Sequence, residues 1–353
     1  MNISIKLSLS VFAVAMLMSG CAQKIQIIAL NPAEVGEMAS MKKIAISKFK
    51  NDSLGLSGKI ESEIAKHKLD NEKYFTVLSR QDMDKVIAEQ KLQSSELMDN
   101  ETSSKVGKLI GAQAIINGEI ASANAESRTY QEDKEECLSY YKQGGCAKWR
   151  YYRVTCNTTQ ATASANLNIV NIETGALIYG DTISKEYSAD SCKAGQTNLG
   201  LLVLNSGPQT ILSKAQALNK LASDIANEFV YKLTPHYVTF EVTLLEKLEM
   251  KKTTSEQDEQ FENSLAYIKA NRLDKAEELL RRLMDEFDGK SYVVAYNLGV
   301  VNEANGKYDD AKKYYSMADT LTIKPVDELN LAINRIDKLI SKREKAEKQI
   351  SSK

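Results

Sequence analysis

The five cysteines of this 353-residue sequence are its most distinctive reactive side chains. The chain has only two histidines, so it has few candidates for a general base. Cysteine or serine catalysis needs a general base at a usable spacing, and the sequence contains no GxSxG, P-loop, HExxH or Cys–His pattern. We therefore expect that the protein is not an enzyme and that it holds no cofactor.

Cys21 stands apart from the other cysteines, since it follows Lys6, an apolar run from Val11 to Met18, and the small residues Ser19 and Gly20. An apolar run of about ten residues is too short to span a bilayer as a mature helix. The segment resembles a bacterial lipobox, in which the cysteine becomes the first residue and is acylated. The alternative is an ordinary signal peptide. We predict a lipoprotein signal peptide over residues 1–20 and lipidation of Cys21.

This anchor sets the compartment. By resemblance to sorted lipoproteins, Ala22 after the cysteine implies the bacterial outer membrane, with the chain facing the periplasm. That compartment is oxidising. Four further cysteines are present: Cys137, Cys146, Cys156 and Cys192. We predict two disulfides, with three possible pairings. A zinc site is the weaker alternative, because no CxxC or HxxxH spacing occurs, so no metal is expected.

Charge and composition narrow the class of partner. The formal net charge is −1, and a protein that binds nucleic acid would show a basic stripe, so no nucleic-acid partner is expected. The length allows about two domains, and few low-complexity stretches occur. Most of the chain should therefore be folded.

Strand and helix patterns alternate after a tether at residues 21–41. Alternating apolar residues predict strands near 43–49, 74–78, 112–120, 161–170, 177–187 and 237–245, and amphipathic patterns predict helices near 57–68, 79–92, 102–110 and 209–233. The order favours a mixed α+β/α/β domain over residues 42–246. Residues 123–158 interrupt it with charges and aromatics, and we predict a disulfide-stapled hairpin or flap there.

The remainder reads as helical. After a polar linker at 247–258, Asn271–Ala276 and Gly306–Ala311 are similar segments that lie 35 residues apart, each between two amphipathic helices. This pattern resembles two tetratricopeptide repeats, with a plain helical bundle as the alternative. We predict an all-α tetratricopeptide-repeat domain over residues 259–350, ending in a capping helix.

Three stretches carry a family resemblance: Tyr74–Arg80, Leu109–Ile120 and Ala165–Ile178. With the lipobox, their order and spacing resemble the curli production assembly/transport (CsgG-like) outer-membrane lipoproteins. The resemblance implies a mixed sheet with packed helices. In that family, the curli channel is a ring whose subunits each donate two β-hairpins.

The sequence departs from the family where a channel would need membrane strands. Its hairpins would come from 123–158 and 188–207, yet the first contains five consecutive charges and the second lacks alternation. We therefore expect a lipid-anchored envelope protein that acts in assembly or secretion through a homo-oligomer and protein partners. A subunit of an outer-membrane export channel is the second hypothesis, and a cell-wall or appendage scaffold is the third.

The repeats would offer a concave surface to a protein or peptide partner. The candidate groove residues are Tyr267, Tyr292, Tyr296 and Asn297, although tyrosines of such repeats are more often packing residues. The membrane would be contacted through the N-terminal lipid.

Overall fold

The structure is a computed structural model that describes residues 23–78, 100–193, 196–199, 202–205 and 210–351. The strands in this part of the chain are β1 (Lys24–Asn31), β2 (Lys43–Ile46), β3 (Lys68–Leu69), β4 (Glu72–Lys73), β5 (Thr76–Val77), β6 (Ala114–Tyr140), β7 (Cys146–Asn171), β8 (Leu177–Asp190), β9 (Gln196–Leu199), β10 (Leu202–Asn205) and β11 (His236–Thr243). The helices are α1 (Gly36–Ser40), α2 (Leu56–Lys66), α3 (Asn100–Ile110), α4 (Lys214–Leu233), α5 (Ser255–Lys269), α6 (Leu273–Glu286), α7 (Tyr292–Ala304), α8 (Tyr308–Leu321) and α9 (Asp327–Ser351).

The chain divides into two compact units. We call residues Ala33–Pro235, with Gln349 at the other end of the chain, the α/β unit. We call β1 together with His236–Lys348 the helical unit. Each has its own buried core.

The α/β unit is built on a five-stranded mixed sheet with the order β5-β2-β6-β7-β8. The β2 strand pairs parallel with β5 and β6, whereas β6–β7 and β7–β8 are antiparallel. The short strands β3 and β4 form a separate antiparallel pair, and so do β9 and β10. The predicted mixed sheet with packed helices is confirmed.

Helices pack against this sheet because its central strands are apolar on both faces. Val106 of α3 joins Ala45, Ile115 and Val170 in one buried cluster. The long helix α4 packs against α2 and against β6, β7 and β8. A Cβ atom on Gly107 would lie 2.2 Å from Cδ1 of Ile172, so α3 approaches the sheet closely only because this residue is glycine.

Beyond the sheet, β6 and β7 continue as a two-stranded hairpin. The last residue pair that joins β7 to β8 is Thr158 with Asp190, while β6 and β7 stay paired as far as Tyr140 and Cys146. We call residues 129–157 the arm. The predicted hairpin at 123–158 is therefore an extension of two sheet strands and not a separate inserted element.

The helical unit combines five helices with a two-stranded antiparallel ribbon of β1 and β11. One face of the ribbon contributes Ile25, Ile27 and Val242 to the core formed by the helices. The helix starts agree with local capping signals: Thr254 caps α5 in a capping box with Gln257, and Ser291 caps α7.

Several predicted boundaries differ from the structure. Residues 23–41 of the predicted tether contain β1 and α1, and Leu248 and Met250 of the predicted linker at 247–258 pack on the helical core before α5 begins. Residues 259–350 are helical, as predicted, but the compact unit to which they belong also contains β1 and β11. These strands are more than 200 residues apart, and neither contains a local signal for the other.

The predicted helix at 79–92 lies outside the described residues. The segment 188–207, whose sequence lacks alternation, contains the hairpin of β9 and β10. No helix among the described residues combines the length and apolar character needed to cross a membrane.

Candidate functional site

The arm extends beyond the last residue pair of β7 with β8, and the local sequence explains its shape. Its second strand contains Trp149, Tyr151, Tyr152 and Val154, which are aromatic and β-branched residues that favour strands. The chain reverses after Tyr140 through Gly144 and Gly145, whose φ angles of 92° and 87° suit glycine.

Two disulfides restrain the arm. Cys137 is bonded to Cys146 next to the turn, and Cys156 is bonded to Cys192 where the arm leaves the sheet. The four cysteines that the sequence singled out thus form two bonds in one of the three possible pairings. The first bond links the two strands of the arm near its turn, and the second ties β7 to the segment that follows β8 at the base of the arm.

Charged pairs cover the faces of the arm. Arg153 donates to Asp133 through Nε at 2.6 Å and Nη2 at 3.2 Å, and this hydrogen bond lowers the pKa of the Asp133 carboxyl. On the opposite face Arg150 donates to Glu136. Because directly opposed residues share a face, acid–base pairs occur on both faces of the hairpin.

Aromatic side chains are concentrated toward the end of the arm and are exposed. Tyr140 is 74% exposed, Tyr151 73% and Trp149 47%. The remaining members of this group, which we call the arm aromatics, are Tyr141 and Tyr152. Exposed aromatics in a cluster are typical of contact surfaces for another molecule, because their burial removes a large apolar area from water.

The base of the arm is fastened to the end of β8 by polar contacts. The hydroxyl of Tyr130 donates to Asp190 at 2.8 Å, and this hydrogen bond, with burial and the Asp190 charge, raises the pKa of Tyr130 to about 12. The backbone of Asn157 bonds Ser191 twice, each time at 2.8 Å. The sequence analysis did not identify Tyr130 or Asp190, since a contact across 60 residues leaves no local pattern.

One group of metal-ligand residue types lies at this base. The carboxylate of Glu132 is near the sulfurs of Cys156 and Cys192. Both sulfurs are used in a disulfide, and a metal ligand must be a thiolate. The group therefore offers a metal one carboxylate and no thiolate.

Lys42 is another residue whose pKa is shifted. Burial lowers the pKa of its ammonium to about 8. The ammonium lies 3.7 Å from the centre of the Tyr74 ring and donates to the carbonyl of Ala39 at 3.0 Å. Both contacts hold the segment that contains Lys42 in place within the α/β unit.

The structure does not form an open groove from the predicted groove residues. Tyr296 is 1% exposed and donates its hydroxyl to the Thr243 carbonyl at 2.7 Å. The amide of Asn297, which is fully buried, donates to the Leu245 carbonyl at 2.8 Å and accepts from the Leu245 N–H at 3.2 Å. Both side chains hold a segment of their own chain, so neither can contact an external peptide in this arrangement.

The other two groove candidates are less buried than Tyr296 and Asn297. Tyr292 is half-buried at the start of α7, where its N–H donates to Glu249, and burial raises the pKa of its hydroxyl. Tyr267 on α5 is exposed. The lipidation candidate Cys21 lies outside the described residues.

Comparisons with known proteins identify a family. The sequence model of the family described as "Curli production assembly/transport component CsgG" matches residues 22–260. No curated protein matches the chain.

Three solved structures show distant similarity. The LpoB C-terminal domain from Salmonella enterica is 9% identical, with 49% of this chain and 90% of that one covered and a TM-score of 0.25. Lipoprotein GNA1162 from Neisseria meningitidis is 12% identical, with 54% and 98% covered and a TM-score of 0.28. The hypothetical protein CT253 from Chlamydia trachomatis is 13% identical, with 54% and 94% covered and a TM-score of 0.27. These values are too low to carry a functional inference.

Proposed function

This chain belongs to the CsgG family of curli production assembly/transport components, and from this membership we propose that it is a lipid-anchored envelope protein acting in assembly or transport. The family match begins at residue 22, directly after the predicted lipidation site Cys21. In the proposal the chain is held at the bacterial outer membrane and faces the periplasm. It acts by binding other proteins, and no catalytic step is assigned to it.

The observation that carries the proposal beyond the family is the exposed end of the arm. Aromatic side chains such as Trp149 and Tyr151 supply much of the binding energy at protein interfaces when a partner excludes water from them. The two disulfides restrain the arm before binding, which lowers the entropy that binding would cost. The arm aromatics are thus suited to contact a protein partner or a second copy of the chain.

A photo-crosslinking experiment in the native cell tests this role. A photoreactive phenylalanine analogue at Tyr140 should give a defined covalent adduct with another envelope protein or with a second copy. The matched control is the same analogue at Tyr231, which is 47% exposed on α4. Adduct formation at Tyr140 that is no stronger than at Tyr231 would contradict the proposal.

A paired substitution provides a second readout. Replacing Trp149 and Tyr151 by alanine should abolish the Tyr140 adduct while leaving the melting temperature unchanged, because both side chains are exposed. An adduct that persists in the double variant would show that these rings do not bind the partner.

The second hypothesis, a subunit of an export channel, is favoured by one specific observation. The structure has two hairpins, β6–β7 and β9–β10, within the two segments from which the family donates its hairpins. Acid–base pairs on both faces of the arm weigh against it, because a lipid-facing strand side should be apolar.

The mass of the lipidated protein in detergent, corrected for bound detergent, separates the two hypotheses. A closed ring of many subunits would support the channel and lead to conductance measurements in bilayers. A monomer or dimer would contradict a ring and leave partner binding by the arm.

The helical unit is proposed to contain two tetratricopeptide repeats, formed by the pairs α5–α6 and α7–α8. The similar segments Asn271–Ala276 and Gly306–Ala311 lie at the junction within each pair, and α9 follows as a capping helix. Because the chain's own residues occupy Tyr296 and Asn297, a partner of this unit would contact other exposed positions. Photo-crosslinking from Tyr267 tests that contact, and the absence of any adduct would contradict it.

A further inference from the structure

The two disulfides of the arm differ in their access to solvent. We call Cys137–Cys146 the tip disulfide and Cys156–Cys192 the base disulfide. Cys156 is 0% exposed and Cys192 is 8% exposed, whereas both cysteines of the tip disulfide are partly exposed. Exchange requires a thiol to reach a disulfide sulfur, so an external thiol has better access to the tip disulfide than to the base disulfide.

The charges beside the two bonds favour attack at the same one. The sequence from Leu138 to Trp149 contains two lysines and no acidic residue, and the preceding acid, Glu136, is paired with Arg150. Beside the base disulfide, the carboxylate of Glu132 lies 3.6 Å from Sγ of Cys156. The attacking group in exchange is an anionic thiolate, which a carboxylate repels and an ammonium attracts. Charge therefore directs a thiolate to the tip disulfide.

The tip disulfide spans the least regular part of the arm. Cys137 lies opposite Trp149, and Cys146 lies opposite Tyr140. Between these two pairs the register of the strands shifts twice, once on each side of Ser139. A shift of one residue turns the side chains of a strand to the other face. The tip disulfide therefore holds the register that decides from which face Tyr140 and Trp149 project.

The backbone contributes weaker restraints at the turn. The Tyr141 N–H donates to the Gly145 carbonyl and the Gly144 N–H donates to the Tyr141 carbonyl, each at 3.0 Å. Glycine loses much conformational entropy when it is ordered, and an isolated two-stranded hairpin is marginally stable in water. The base of the arm is held separately by the hydrogen bond from Tyr130 to Asp190. Opening the tip disulfide would therefore loosen the arm aromatics and leave the base attached.

We propose that the tip disulfide is a redox switch that controls binding by the arm aromatics. A protein dithiol in the envelope attacks one sulfur of the bond as a thiolate and displaces the other as a thiolate, and its second thiol then resolves the mixed disulfide. Cys137 and Cys146 receive two electrons and the two protons that the dithiol gives up, and the reductant becomes a disulfide. The open tip no longer orders the rings in advance, so binding costs more entropy. The proposal rests on the partner binding of the proposed function and adds its regulation.

Graded reduction tests the selectivity. Full-length, lipidated protein in detergent is incubated with increasing concentrations of dithiothreitol, quenched with iodoacetamide, and mapped by mass spectrometry. We expect Cys137 and Cys146 to be alkylated at a dithiothreitol concentration about tenfold lower than Cys156 and Cys192, because access and charge both favour the tip. Equal sensitivity of the two bonds, or earlier opening of the base disulfide, would overturn the proposal.

The order of the arm can be followed directly, because Trp149 is the single tryptophan of the chain. Its fluorescence anisotropy should fall when dithiothreitol opens the tip disulfide alone. The matched control is the double variant Cys137→Ser and Cys146→Ser, which should show the lower anisotropy from the start and no response to the same reductant. An anisotropy that does not change when the tip opens would overturn the proposal.

The photo-adduct from Tyr140 connects the switch to binding in the native cell. The tip double variant should give several times less adduct than the parent. Equal yields would overturn the switch and leave the proposed function standing, whereas no adduct in the parent would overturn the proposed function and the switch with it. Acid-quenched, alkylated cells should contain chains with both tip thiols free. A tip disulfide that stays fully closed in cells grown with and without oxygen would overturn its use as a switch.

Discussion

Ion pairs of similar length lie in very different surroundings in the core of the helical unit and on the arm. Glu303 is fully buried and accepts from Arg335 at 2.7 and 2.8 Å and from the hydroxyl of Tyr315. On the arm, Asp133 and Arg153 form an equally short pair, yet their side chains are 72% and 63% exposed.

The difference lies in what each charge would lose without its partner. Water can solvate Asp133 or Arg153 if the other is removed, so the pair adds little to folding. Glu303 and Arg335 are withdrawn from water, and loss of one leaves the other with an unpaid desolvation cost. Similar distances in the two regions therefore do not imply similar energies.

The largest expected effect comes from the buried cluster. Glu303→Gln keeps the shape of the side chain but leaves the Arg335 guanidinium without its counter-charge, and we expect a loss of about 3–5 kcal/mol in the free energy of unfolding. Urea unfolding followed by circular dichroism measures it. The control is Asp337→Asn, which breaks the exposed pair with Lys312 and should have no measurable effect. Equal losses in both variants would refute the comparison.

The two disulfides of the arm should contribute unequally to the stability of the fold. In the chain-entropy description, the bond Cys156–Cys192, with a sequence separation of 36, contributes about 3.8 kcal/mol, and Cys137–Cys146, with a separation of 9, about 2.6 kcal/mol. Paired serine substitutions should therefore lower the melting temperature more for the first bond than for the second. The reverse order would show that the tip disulfide stabilises more than its short loop predicts.

Close packing extends the comparison from charge to volume. A Cβ atom at Gly299 of α7 would lie 2.4 Å from Cε1 of Tyr315, so Gly299→Ala should cost about 1–3 kcal/mol. Gly58 of α2 is exposed and has no atom within 4 Å of that position. Gly58→Ala should instead stabilise by about 0.5–1 kcal/mol, because alanine favours a helix. Thermal unfolding of both variants checks the opposite signs.

The smallest effect is expected from the exposed Asp133–Arg153 pair of the arm. Arg153 lowers the pKa of Asp133, so this pair stabilises the fold above the ordinary carboxyl pKa of about 3.8 and loses its effect as pH falls through the lowered value. Arg153→Met should return the Asp133 pKa to its ordinary range in an NMR titration, without changing the melting temperature at pH 7. A clear drop in that temperature would mean that an exposed pair can act as a buried one does.

Local patterns in the sequence were sufficient for most elements of the α/β unit. Alternating residues marked β2, an amphipathic pattern near 57–68 marked α2, and a long amphipathic stretch marked α4. They also placed helices on either side of Asn271–Ala276 and Gly306–Ala311. In each case the residues that carry the signal lie within a few positions of one another.

The candidate site was only partly predictable. The sequence singled out four cysteines but left three pairings, since the choice depends on the register of β6 and β7 and on where Asp190 ends β8. It also offered Tyr296 and Asn297 to an external partner. Their fate depends on residues 243–245, which pack over them from a part of the chain about 50 positions away.

The sequence by itself determined the family, most strands and helices, and the presence of cysteines able to form two disulfides, because these follow from motifs and short-range periodicity. Only the tertiary structure decided that β1 joins β11, that Gln23 bonds to Leu244, and that Glu303 is buried while Asp133 is not. Strand pairing across more than 200 residues, and the exclusion of water from a charge, depend on what the rest of the chain packs around each residue. Short-range sequence patterns do not contain that information.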